Sequence, residues 1–255
     1  MSRVFCGLLL AFGVLLPTAQ AGLPETVQRV KPSVLAIGTF QRTRNPAFQF
    51  RGTGFVVGDG RLVVTNAHVI PNVLDSEHME TLAAVLPGTG ENRPVRTLKR
   101  LATDGVSDLA VLRIEDGSAL PALALGGKAR EGQAIAFTGF PIGSALGMTP
   151  ATHRGTLAAL SPIAIPQAHA RDLSPAQIRR LADGGFYIYQ LDAVAYPGNS
   201  GSPLYDPESG VVLGIVNSVL VKSTKESALS APSGISYAIP VEYINRLLEQ
   251  AQRKP

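Results

Sequence analysis

The 255-residue chain has one cysteine, no tryptophan and only 16% charged residues. A lone cysteine, Cys6, excludes a disulfide framework within the chain and a thiolate metal cluster. Charge of one sign is scarce as well. The 23 Lys and Arg face 19 Asp and Glu, the formal charge is +4, and the basic residues are scattered, which argues against a nucleic-acid partner. No H-E-x-x-H metal motif, internal repeat or low-complexity tract occurs. The apolar run Val4–Leu16 is 13 residues long, short of the roughly 20 that a membrane-spanning helix needs.

That run is preceded by Arg3 and followed by Pro17 and the small-residue pattern Ala19-Gln20-Ala21, the layout of a secretory signal peptide. Residues 1–21 are therefore expected to be removed, leaving a chain that starts at Gly22, holds no cysteine and keeps no membrane anchor. Export without disulfides points to a bacterial periplasm, or to secretion. No propeptide cleavage beyond signal removal is expected.

What is present is a 45% hydrophobic composition with 26 Gly and 19 Pro, enough for one substantial core. Short β-rich runs alternate with turn residues: Ser33–Thr39, Gly54–Val57, Leu62–Thr65, Leu109–Ile114, Ala134–Thr138, Phe186–Leu191, Val211–Asn217 and Ile235–Ala238. The pattern predicts an all-β sandwich or pair of barrels. Two helices are predicted: one opening at Ser174-Pro175 and ending near Gly184-Gly185, and one after Pro240 with Val241, Ile244, Leu247 and Leu248 on one face. Pro87–Pro94 and Ser161–Ala170 read as surface loops, and the arginines of Arg93–Arg100 as a solvated face.

Three segments carry chemistry. His68 closes an apolar strand in Thr65-Asn66-Ala67-His68-Val69-Ile70, Asp108 stands at the mouth of Ser107-Asp108-Leu109-Ala110-Val111-Leu112, and Ser200 lies in the turn Pro197-Gly198-Asn199-Ser200-Gly201-Ser202-Pro203. A serine hydroxyl needs a neutral imidazole to take its proton, and that imidazole needs an acid to fix its tautomer. Backbone N–H groups of Gly198 and Ser200 can converge on the carbonyl oxygen as it becomes negative. Each residue alone reads more simply as structural; the set in the order His, Asp, Ser does not. An α/β-hydrolase needs its histidine after the serine, whereas the last histidine here is His169, and a subtilisin-like order would need Asp59, which sits in a hairpin turn. The remaining histidines, His78, His153 and His169, read as surface or locally bonded. A histidine base predicts a rate that rises with pH near the reference imidazole value of roughly 6.5–7.

With these residues in view, TNAHVI, SDLAVL and QLDAVAYPGNSGSPL resemble the active-site blocks of trypsin-like bacterial proteases of the Deg/HtrA type. The resemblance runs from Pro32-Ser33-Val34 to Tyr237-Ala238-Ile239-Pro240. It implies two antiparallel β-barrels, 22–125 and 126–255, the second with the C-terminal helix, and a cleft between them holding His68, Asp108 and Ser200. The implied activity is an endopeptidase without metal or other cofactor, acting on protein or peptide substrates; the oligomeric state is left open. In this fold the pocket for the residue before the cut is walled by Val194-Ala195-Tyr196 and Val216-Asn217-Ser218, with Val194 at its floor, so small or medium apolar residues fit best. The alternatives are a non-cleaving binding or chaperone-like module, and a glutamyl-endopeptidase-like enzyme.

The chain departs from that family in three places. Fifteen residues follow Pro240, too few for the PDZ domain that most relatives carry. Ser202 stands where they usually have a second glycine, and Ala151–Gly185 is long enough to be expected as a lid or exosite. Asn199 replaces the aspartate that digestive relatives use for activation by a new amino terminus.

Overall fold

The computed structural model describes residues 22–88, 93–143, 147–163, 186–218 and 234–253. The expected signal segment, His169 and the helix predicted from Ser174 lie outside these residues. A short helix, α1 (Leu23–Val30), leads into β1 (Val34–Phe40), β2 (Phe48–Val57), β3 (Leu62–Asn66), β4 (Thr81–Val85), β5 (Val95–Asp104) and β6 (Leu109–Ile114). The second half holds β7 (Ala134–Gly139), β8 (Ala151–Ile163), β9 (Phe186–Asp192), β10 (Pro203–Tyr205), β11 (Val212–Asn217) and β12 (Ile235–Pro240), followed by helix α2 (Val241–Arg253).

Each half closes into a six-stranded antiparallel barrel, in the order β1-β2-β3-β6-β5-β4 and β10-β11-β12-β9-β8-β7. Closure leaves no strand edge unpaired along either sheet. Successive residues of a strand point to opposite faces, and in the first barrel both faces are covered. Leu35, Ile37, Val56, Val63, Ala110 and Leu112 fill its interior. The intervening Val34, Ala36, Phe55, Val57, Val64 and Val111 pack outward into a layer shared with Tyr205, Val212, Ile215 and Ile239 of the second barrel. This double burial is why β1, β3 and β6 read as continuous apolar runs rather than alternating ones.

The helices cross over. α2 buries Val241, Ile244 and Leu247 and packs against β5 and β6 of the first barrel as well as β11 and β12, although by sequence it is grouped with the second. α1 docks on the second barrel: the Thr26 hydroxyl donates to the Glu208 carbonyl at 2.9 Å, and the Arg29 guanidinium donates to the same oxygen at 3.2 Å.

Four strands escape the sequence patterns: β4, β5, β8 and β10. Residues 161–163 belong to β8 rather than to a loop. Of the arginines in Arg93–Arg100, Arg100 is exposed on β5, whereas Arg93 is half-buried and reaches the second half of the chain, donating to the carbonyls of Met148 (2.5 Å) and Gly147 (2.9 Å).

Glu80, just before β4, ties this end of the barrel to β1 and the turn after it. It forms a 2.7 Å ion pair with Arg44 and accepts the Asp75 N–H at 3.0 Å. A hydrogen bond from Thr39, then these two contacts, pull its carboxyl down to about 2. A carboxyl whose folded pKa lies below its unfolded value stabilises the fold above the unfolded value, near 4.5, and that contribution is lost as pH falls toward about 2. Glu80→Gln should therefore lower the urea midpoint at pH 7, with the gap from wild type closing between pH 4.5 and 2.5; a gap that does not change with pH would contradict this.

Candidate active site

Asp108 sits on the first residue before β6 with φ +51°, in the left-handed region that aspartate tolerates better than most side chains. This conformation aims both its carbonyl and its carboxylate at the short 3-10 turn Ala67–Val69. The carbonyl accepts the Ala67 N–H at 3.0 Å and the Asn66 amide at 3.1 Å. One carboxylate oxygen accepts the His68 N–H at 2.9 Å and the other meets His68 Nδ1 at 2.6 Å. His68 is thus held by main chain and ring at once, with its ring and the Asp108 side chain about one-third exposed (32% and 28%). Arg51, at a bulge where β1 pairs Ile37 with Gly52 but Gly38 with Phe50, donates from Nε to the Val69 carbonyl at 2.9 Å and braces the same turn.

Across the cleft, the Ser200 turn is shaped by two glycines in the left-handed half of φ space, Gly198 at +98° and Gly201 at +89°. A Cβ on Gly201 would lie 1.8 Å from the Thr53 carbonyl oxygen and one on Gly198 would lie 2.3 Å from that of Phe140, so neither position admits a side chain. Thr53, fully buried on β2 of the first barrel, secures the turn: its N–H donates to the Ser200 carbonyl at 2.8 Å and its hydroxyl to the Gly198 carbonyl at 2.7 Å. The N–H groups of Gly198 and Ser200, expected to face the oxyanion, make no hydrogen bond among the described residues.

The structure brings His68 and Asp108 into contact and sets Ser200, 4% exposed, in the glycine turn. The Ser200 hydroxyl bonds to the Ser218 hydroxyl at 2.5 Å and accepts the Ser218 N–H at 3.3 Å. Among the described residues it makes no hydrogen bond to His68. Of the expected pocket wall, Val194, Tyr196 and Ser218 are half-buried, whereas Ala195, Val216 and Asn217 are buried. Asn217 turns toward the acid instead, donating from Nδ2 to Asp108 at 2.7 Å. Asp192 is exposed at the end of β9.

His78 is a surface residue paired with Asp75 at 2.8 Å. His153 is not: it stacks on Phe137 with ring centroids 4.8 Å apart and lies 6.1 Å from the Tyr196 ring, and burial holds its pKa below the usual imidazole value. Among the described residues no cluster of three metal-ligating side chains occurs.

Sequence reasoning missed Thr53, Arg51 and the tether from Asn217. Thr53 lies between two glycines on a strand that also carries Gln49 and Arg51, so its residue type alone does not mark it. Ser202, which stands where the resembled family usually has a second glycine, is buried as well. Its hydroxyl is fully buried and has no hydrogen-bond partner among the described residues, and it fits because residue 139 is glycine, where a Cβ would come within 1.9 Å of Ser202 Oγ.

These features are those of the chymotrypsin-like fold. The chain belongs to the trypsin-like peptidase family, whose domain description matches residues 52–215. It is 30% identical to human (Homo sapiens) serine protease HTRA3 over 239 residues, covering 91% of this chain and 45% of that protein. It is 27% identical to the mitochondrial serine protease HTRA2 of Bos taurus over 237 residues, covering 91% and 43%. The chain thus spans under half the length of these relatives. Among solved structures, an HtrA-type protease described as AlgWS227A with tripeptide superposes with a TM-score of 0.65 at 22% identity, covering 92% of this chain and 64% of that one.

An orphaned buried hydroxyl costs about 1–3 kcal/mol. Ser202→Ala should therefore raise the thermal midpoint by several degrees, at roughly 2–4 °C per kcal/mol for a chain of this size. An unchanged or lower midpoint in calorimetry would show that the hydroxyl is satisfied in solution.

Proposed function

We propose that this protein is an exported serine endopeptidase that cuts polypeptides through an acyl-enzyme on Ser200, with His68 as base and Asp108 as the acid that orients it. The observation that carries the reading is the doubly held His68, whose Nδ1 is committed to Asp108 at 2.6 Å. That contact fixes Nδ1–H as a donor and leaves Nε2 as the proton acceptor. Attack by Oγ sends its proton to Nε2, and the new oxyanion takes the N–H groups of Gly198 and Ser200. On collapse the imidazolium returns the proton to the leaving amine, and water repeats the sequence to release the acyl group. Asn217 keeps the Asp108 carboxylate turned toward the ring.

Export rests on the signal-type pattern of residues 1–21 and the lack of cysteine after it, and the periplasm is the compartment that fits. Activation by an inserted amino terminus is disfavoured because α1 is docked at Glu208 and Asn199 offers no carboxylate. Half-buried Val194 and Tyr196 with buried Ala195 favour a small or medium apolar residue before the cut, with loose discrimination of about 1–3 kcal/mol per methylene. A glutamyl preference finds no support in His153, since desolvation lowers its pKa and disfavours the charged ring. The engagement of Ser200 by Ser218 favours a resting enzyme as the second reading, over a module that never cuts.

Ser200→Ala should lower casein turnover by about 10⁴-fold or more, and near-native turnover would end the assignment. In a peptide-library digest, cleavage should concentrate after Ala, Val, Leu and Ile; a profile dominated by Lys, Arg or Glu at that position would refute the pocket assignment while leaving the triad intact.

A further inference from the structure

We propose that the Ser218 hydroxyl is a latch that holds the Ser200 hydroxyl away from its base, which makes Ser218 a positioning residue for the nucleophile. The proposal rests on the reading of Ser200 as nucleophile and adds how that group is regulated. A serine hydroxyl offers one proton and two lone pairs. The Ser218 N–H occupies one lone pair at 3.3 Å, and the Ser218 hydroxyl engages the same oxygen at 2.5 Å. If Ser200 donates in that second bond, its proton points away from His68. If it accepts, both lone pairs are committed. In the first case attack requires Oγ to turn about its Cα–Cβ bond so that its proton reaches His68; in the second it requires Oγ to release at least one of the two contacts so that a lone pair can reach the carbonyl.

The position of Ser218 makes it a control point rather than a bystander. It directly follows Asn217, whose amide holds Asp108 at 2.7 Å. Two consecutive residues, the last of β11 and the one after it, therefore hold the two ends of the triad, one on the acid and one on the nucleophile. A displacement of residue 218 that leaves β11 in place frees Ser200 without loosening His68 and Asp108. A neutral hydrogen bond of ordinary net strength biases such a two-position equilibrium by roughly two- to tenfold, so the latch tunes the attacking fraction and does not abolish it.

The test is the second-order rate of labelling by a fluorophosphonate, in which Oγ bonds to phosphorus, fluoride leaves and the Oγ proton passes to His68. The full chain would be compared as wild type, Ser218→Ala, Ser218→Thr and Ser200→Ala across pH 5–9. We expect Ser218→Ala to label about three- to tenfold faster with the wild-type pH profile, Ser218→Thr to return to the wild-type rate because it keeps the hydroxyl, and Ser200→Ala not to label. A Ser218→Ala rate less than twofold above wild type, or a Ser218→Thr rate equal to that of Ser218→Ala, overturns the latch and leaves Ser200 as nucleophile. Absence of labelling in both wild type and Ser218→Ala overturns the nucleophile assignment and the latch with it.

Discussion

A single buried hydroxyl, that of Thr53, sets the reference frame of the cleft. Thr53 belongs to the first barrel, yet its N–H and hydroxyl hold the carbonyls of Ser200 and Gly198 in the second. Its own carbonyl accepts the Thr65 hydroxyl at 2.7 Å, and Thr65 lies on β3 three residues before His68. The Ser200 turn and the His68 turn are thus tied to one residue through short uncharged bonds. Uncharged bonds suit the seam, because a buried charge here would need a partner of opposite sign to repay its desolvation.

Asp108 adds the charged counterpart nearer to solvent. Its carboxylate takes donors from both barrels, His68 from the first and Asn217 from the second. Its geometry therefore depends on the barrels staying in register across the shared apolar layer that runs from Val34 to Leu247. Packing places the strands, the strands place Thr53 and Asn217, and those two residues hold the Ser200 turn and the Asp108 carboxylate.

The sequence exposed those features that depend on local composition. β1, β3 and β6 were legible because apolar residues cover both of their faces; the candidates His68, Asp108 and Ser200 stood out because their residue types and flanks occur in one order, and of these the structure joins His68 to Asp108. β5 and β8 were not, since their exposed positions carry Lys99, Arg100 and Arg154 and break up the apolar pattern. β10 spans only three residues and starts with proline. Thr53 and Asn217 were hidden for another reason: their partners stand 145 and 109 residues away along the chain, a separation that no local pattern encodes. The expected wall Val216-Asn217-Ser218 treated three consecutive residues alike, whereas a strand sends neighbours to opposite faces. Val216 accordingly fills the second barrel's interior and Asn217 turns to the acid.

The crossed arms carry a mechanical meaning. α1, which precedes the first barrel, is clasped to Glu208 on the second, and α2, which follows the second barrel, lies along β5 and β6 of the first. Tension applied between the two helices would be transmitted to each barrel by an arm from the opposite half of the chain. The load would fall in shear across the shared layer instead of peeling strands one at a time from a sheet edge.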